Sequence, residues 1–194
     1  MIKLLLALFL FQQPAYHLSV EKDSIKIYSA TASTPQLKPI KVECTFNTTT
    51  AQLTSVLLDI KNYPNWVYHT KSASIIKQAS PSDLYYYSEV ALPWPAENRD
   101  FVSHVTVNHN AETGVVTIDA PNVEDMVAKK AHVYRTTASR GKWIITPDGD
   151  NKVKVTYYLL IDTGGSAPSW LVDLFINEGP LQTFKKLRLQ LQQK

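Results

Sequence analysis

Hydrophobic and polar positions alternate with a period of two along most of this chain, and the period lengthens to that of a helix in two places. "IKIYSATAS" (25–33) and "PIKVECTFN" (39–47) alternate as strands. In "TTTAQLTSVLLDI" residues Leu53, Val56, Leu57 and Ile60 recur at i, i+3, i+4 and i+7, one face of a helix. Thr49 or Thr50 can cap it, and Pro64 disfavours helix at Tyr63 and so ends it. Strand-like runs follow at 72–78, 83–92, 99–108, 114–120, 131–140, 142–147 and 152–162, with turn chemistry between several of them, such as Pro147-Asp148-Gly149-Asp150. Short connections make successive strands antiparallel neighbours. In the last run Val153, Val155, Tyr157, Leu159 and Ile161 share one face, opposite Lys152, Lys154 and Thr156. That is a sheet with one dry face.

From Pro168 onward the period is helical again. Trp170, Leu171, Leu174, Phe175, Leu181, Phe184, Leu187 and Leu191 form an apolar stripe, and Gly179-Pro180 is expected to kink or break it. The predicted class is α+β: a short helix after the first strands, a long antiparallel meander, and a long C-terminal helix covering the sheet.

The first residues stand apart. Met1-Ile2-Lys3 precedes an unbroken apolar run from Leu4 to Phe11, then Gln12, Gln13 and Pro14. A cationic start and a short apolar run read as a secretory signal peptide over 1–14, cleaved near 13–15, with one domain over 15–194. The run is too short to span a bilayer, which takes ~20 residues. The single cysteine, Cys44, cannot close an internal disulfide and shares a strand face with Ile40, Val42 and Phe46, as a small buried hydrophobe does. Export without disulfides points to a bacterial periplasm. A net charge of +3 with no dense Lys/Arg run argues against a nucleic-acid partner, and leaves weak, transient contact with a lipid surface as an expectation.

Four stretches in order, "DSIKIYSA", "NYPNWVYHTKSASII" (62–76), "PWPAENRDFV" (93–102) and "GKWIITPDGDNKVKVTYYLLIDTGGSAPSWLVDLFINEGPLQTFKKLR" (141–188), resemble the START domain, the lipid-transfer domain related to the steroidogenic acute regulatory protein. The likeness is closest to small exported bacterial members and spans nearly everything after the leader. One departure is Asp162-Thr163-Gly164-Gly165 where those members carry Asp-Pro-Gly-Gly. The resemblance implies the helix-grip fold, a curved antiparallel sheet wrapped around the C-terminal helix. It also implies an apolar tunnel for one lipid or sterol-sized molecule, with that helix as part of the lid. A hinge is then expected at Gly164-Gly165 and Gly179-Pro180.

Asp162-Thr163-Gly164 matches the aspartic protease triplet, but the motif occurs once and lacks the second aspartate that such catalysis needs. Turning a strand toward a helix accounts for it better. The five histidines have no ligand spacing, no phosphate loop or nucleophile elbow is present, and neither metal nor cofactor is expected. Trp66, Trp94, Trp143 and Trp170 sit at element ends, where they either plug the core or wall the implied tunnel. Tyr86 and Tyr157 alternate with apolar neighbours and so face inward. Arg99-Asp100 reads either as a local ion pair fixing the strand's entry, the reading favoured by its recurrence across members with different ligands, or as Arg99 meeting a ligand headgroup.

The resulting expectation is a monomeric, non-enzymatic carrier or sensor of one hydrophobic ligand. Its contact residues would be Trp66, Tyr86, Trp94, Arg99, Trp143, Tyr157, Leu171, Leu174, Phe175 and Phe184. The alternative is a cyclase- or aromatase-type enzyme of the same superfamily holding its substrate in that cavity.

Overall fold

The computed structural model describes residues 14–32, 34–163 and 168–192. Nearly all of the expected leader, the glycine pair 164–165 and Ser33 lie outside the described residues. Ten strands form one sheet: β1 (His17–Lys22), β2 (Ile25–Ser29), β3 (Leu37–Phe46), β4 (Thr70–Ser80), β5 (Asp83–Val90), β6 (Asn98–His109), β7 (Val116–Pro121), β8 (Val133–Arg135), β9 (Arg140–Pro147) and β10 (Val153–Asp162). Their spatial order is β1-β2-β3-β10-β9-β7-β6-β5-β4, and β8 adds to β6 in parallel. Helix α1 (Thr50–Leu58), a 3-10 turn (Ile60–Asn62) and α2 (Tyr63–Trp66) connect β3 to β4. After β10 the chain is helical through α3 (Ser169–Asp173), a wide π turn (Leu174–Glu178) and α4 (Gly179–Gln192). This is the helix-grip arrangement.

The alternation in the sequence sets the sheet's faces. Ile25 and Ile27 of β2, Ile40, Val42, Cys44 and Phe46 of β3, and Val153 and Val155 of β10 are buried on the inner face. Against them pack Leu53, Val56 and Leu57 of α1 and Phe184, Leu187 and Leu191 of α4. Thr49 is the N-cap of α1, accepting from the Gln52 amide at 3.1 Å. The β4 edge is mostly exposed and breaks its register in three places, which blunts it against pairing with another chain.

Four sequence expectations need correction. The strand β1 was not anticipated; its residues are mostly exposed, so no burial pattern marks it. Tyr63 is helical in spite of Pro64, at φ −52° and ψ −39°. Pro64 falls in the first turn of α2, where a missing N–H costs nothing. The Tyr63 hydroxyl donates to the Leu57 carbonyl at 2.7 Å and holds that geometry. The run 131–140 yields only the three-residue β8 and then the start of β9. Finally, Gly179-Pro180 does not end the helix. The Gly179 amide donates back five residues to the Leu174 carbonyl. This wide turn shifts the hydrogen-bond ladder ahead of Pro180, so the missing N–H and the ring are absorbed. A Cβ at Gly179 would stand 2.9 Å from the Leu174 oxygen, so only glycine fits.

On the outer face, ionic contacts tie the 123–137 segment to the meander. Arg135 grips Asp100 with Nε at 2.6 Å and Nη2 at 3.1 Å, and donates to the Val127 and Ala128 carbonyls. Glu89, buried beside it, takes 2.8 Å bonds from both Lys71 and Lys130. The Lys130 and Lys71 bonds hold the Glu89 carboxyl down at about 2. A carboxyl held low in the fold stabilises it fully above the unfolded pKa near 4.5, and that stabilisation drains away as pH falls from there toward 2. Urea unfolding at stepped pH is expected to show a loss of stability across this window that is reduced in Glu89→Gln; equal slopes in both proteins would contradict the assignment.

Candidate functional site

The core is not solid along its whole length. Under β3 and β10's first half the helices fill the concave face. Farther along, between β5, β6, β7 and β9 on one side and the helix segment from Leu174 to Phe184 on the other, a cavity of about 240 Å³ remains. The change happens at Phe184. Its ring lies 6.2 Å from Phe46 on the filled side, and 5.2 Å from Trp143 and 5.9 Å from Tyr157 on the hollow side. Trp143 and Tyr157 are cross-strand partners with ring centres 4.2 Å apart. Gly141 makes room for that pair, since a Cβ there would sit 3.1 Å from the Tyr157 hydroxyl.

Strand direction gives the cavity two different ends. In β6 the inward side chains are Arg99, Phe101, Ser103 and Val105, so polarity falls along the strand. The antiparallel register brings the start of β6, the end of β7, the start of β9 and the end of β10 together: Ser103 faces Asn122, Pro121 faces Arg140, and Arg140 faces Leu160. Arg99, Asn122, Thr136, Ser139, Arg140 and Asp162 therefore share one end. Ser103 donates to Asn122 Oδ1 at 3.0 Å, Asn122 donates to the Thr136 carbonyl at 2.9 Å, and Ser139 Oγ accepts from the Asp162 amide at 3.0 Å. The opposite end is aromatic: Tyr63 meets Trp66 and Tyr86 edge-on at 5.2 and 5.7 Å.

Eight of the ten residues singled out in the sequence line this cavity: Trp66, Tyr86, Arg99, Trp143, Tyr157, Leu174, Phe175 and Phe184. Two are placed elsewhere. Trp94 is 91% exposed on the β5–β6 loop. It sits between Pro93 and Pro95 beyond the strand ends, where the sheet offers no face to cover it. Leu171 is buried but off the wall. Arg99 and Asp100 do not pair with each other. As strand neighbours they point to opposite faces, Asp100 outward to Arg135 and Arg99 inward.

Several wall residues were not singled out. Ser103 was legible, because the alternation that turns Arg99 inward turns Ser103 inward too. Asn122, Thr136 and Ser139 lie in irregular chain and carry no periodic signal. Asp162 is the last residue of β10, and the neighbouring Thr163 is pinned to the Gln36 carbonyl through both its amide and its hydroxyl. The turn expected of the Asp-Thr-Gly triplet lies outside the described residues.

Burial raises the hydroxyl pKa of Tyr86 to about 12 and pushes those of Tyr63 and Tyr157 up as well. An unfolded tyrosine ionises near pH 10. The unfolded chain thus releases protons before the folded one, so stability falls as pH rises above about 10. Phenolate absorbance is expected to show these hydroxyls titrating only with alkaline unfolding, and Tyr86→Phe with Tyr157→Phe to soften the alkaline loss. Free titration of every tyrosine near pH 10 in the folded protein would refute the burial.

The START domain pattern matches residues 5–194. A crystal structure of a STAR-related lipid transfer protein from Xanthomonas axonopodis superposes with a TM-score of 0.81 at 28% identity, covering 91% of this chain and 98% of that one. A Pseudomonas aeruginosa protein of uncharacterised function is 28% identical over 89% of this chain and 85% of its own length. The phosphatidylcholine transfer protein of Mus musculus is 27% identical over 87% of this chain and 82% of its own. With nearly the whole length matched and the curved sheet closed over its C-terminal helix, the chain belongs to the START domain family.

Proposed function

We propose that the protein is a carrier or sensor of one hydrophobic ligand of lipid type, and that it performs no chemistry on it. The observation that carries this reading is the apolar cavity, walled by Tyr86, Val105, Ile118, Trp143, Tyr157 and Phe184 and roofed by the C-terminal helix. Affinity comes from apolar burial, at about 25 cal/mol per Å² removed from water. The lipid-transfer names of the Xanthomonas and mouse relatives support it. Uptake requires the roof to lift. The wide turn over Leu174–Glu178 is the place where the helix can flex, because its ladder is already out of register there.

We place the working protein outside the cytoplasm, as a monomer of the small exported bacterial type, on the strength of the apolar leader-like run and the lone buried Cys44. Trp94 supports brief contact with a bilayer surface, since a tryptophan rests favourably at the headgroup level.

Protein purified without detergent is expected to yield one lipid class near one molecule per chain on solvent extraction and mass spectrometry. Ile118→Trp, which fills the hollow from β7, is expected to lower that occupancy severalfold while the fold survives. A blank extract after incubation with mixed lipids would remove the carrier reading, and a chemically altered product would replace it with the cyclase-type alternative. Trp94→Ala is expected to weaken vesicle sedimentation and leave ligand occupancy unchanged; unchanged sedimentation would remove the membrane role.

A further inference from the structure

Both cavity-lining side-chain atoms that are shut off from solvent without a hydrogen-bond partner are donors: Trp66 Nε1 and Arg99 Nε. Trp66 is 1% exposed, on α2 at the aromatic end. Buried polar atoms in folded proteins are nearly always satisfied, and leaving one bare costs about 1–3 kcal/mol. Donors left bare at the wall favour a guest that brings acceptors.

Arg99 defines what kind. Its guanidinium is always protonated. Among the described residues it donates to the Asp162 backbone carbonyl through Nη1, at a long 3.5 Å. Its plane lies over the Tyr134 ring at 4.8 Å and the Phe175 ring at 5.4 Å. Those contacts orient the group, and its Nε has no hydrogen-bond partner. Burial disfavours the charge, while the Tyr134 and Asp162 side chains nearby favour it. Phe175 belongs to the roof, so the cation sits where the helix closes over the polar end.

The volume limits the rest of the guest. About 240 Å³ falls below the ~300–1,000 Å³ of pockets that enclose drug-sized ligands. That volume suits a single-chain guest better than a two-chain glycerolipid.

Resting on the carrier reading above, we infer that the ligand is a single-chain acidic amphiphile, its carboxylate or phosphate on Arg99 and its chain running toward Trp143 and Phe184. The head pairs with the Arg99 guanidinium, a charge-assisted contact. The chain occupies the apolar half.

Delipidated full-length protein is titrated by calorimetry with dodecanoate, dodecyl phosphate, dodecanol and dodecyltrimethylammonium, each below its micelle concentration. The better-bound anion is expected to exceed dodecanol by about ten- to a hundredfold, as a charged hydrogen bond of this kind implies. Which anion wins separates a fatty-acid source from a phospholipid-derived one. Arg99→Gln is expected to bring both anions down to the dodecanol level while dodecanol itself shifts less than about twofold. Arg99→Lys keeps the charge and is expected to restore part of the preference, which a merely misfolded variant would not do. Equal binding of anions and dodecanol by the native protein, or an anion preference that survives Arg99→Gln, overturns this inference and leaves the carrier reading standing. Binding of none of the four overturns both.

Discussion

The ring cluster around Phe184 is the point on which this molecule turns. A sheet this wide with one dry face has to be covered, and a single helix is too narrow to cover all of it. Phe184 stacks toward Phe46 on one side and toward Trp143 and Tyr157 on the other. It closes the filled half of the core and forms the inner wall of the hollow half. Large flat rings suit that position because they pack densely on one face and present a rigid surface on the other. The cavity is then a consequence of geometry: α1 and the last turns of α4 fill the concavity beneath β2, β3 and β10, and among the described residues no further helix lies beneath β5, β6, β7 and β9.

The wide turn at Leu174–Glu178 follows from the same constraint. The covering helix must cross from the filled half to the hollow one, and Pro180 would break a regular helix there. Gly179 lets the backbone approach the Leu174 carbonyl, so the ladder slips and the helix continues. Leu174 and Phe175, on the slipped segment, are the roof over Arg99.

On the other face of the sheet the chemistry is the reverse. Asp100 and Glu89 are as deeply buried as core leucines, but each is matched by cations: Arg135 for the first, Lys71 and Lys130 for the second. The adjacent strand residues Arg99 and Asp100 thus divide the labour. One is paired on the outer face, and the other lines the cavity.

The sequence by itself determined most of the strands, their faces and the two helical stripes. Alternation and the i, i+3, i+4 spacing are local, and the apolar face of β10 or α1 has one place to go. Tyr86, Trp143, Tyr157 and Phe184 were readable as inward-facing on that ground, and the order of motifs from "NYPNW" to "IDTGG" carried the family. Only the tertiary structure decided where the inside is full and where it is hollow. Burial looks the same in the sequence for Leu171, which is off the wall, and for Leu174, which is on it. It also decided that Asp100 reaches Arg135, thirty-five positions away, leaving Arg99 to the cavity. Side-chain pairing across a sheet depends on register between distant segments, and irregular chain such as Asn122–Ser139 leaves no period from which that register can be read.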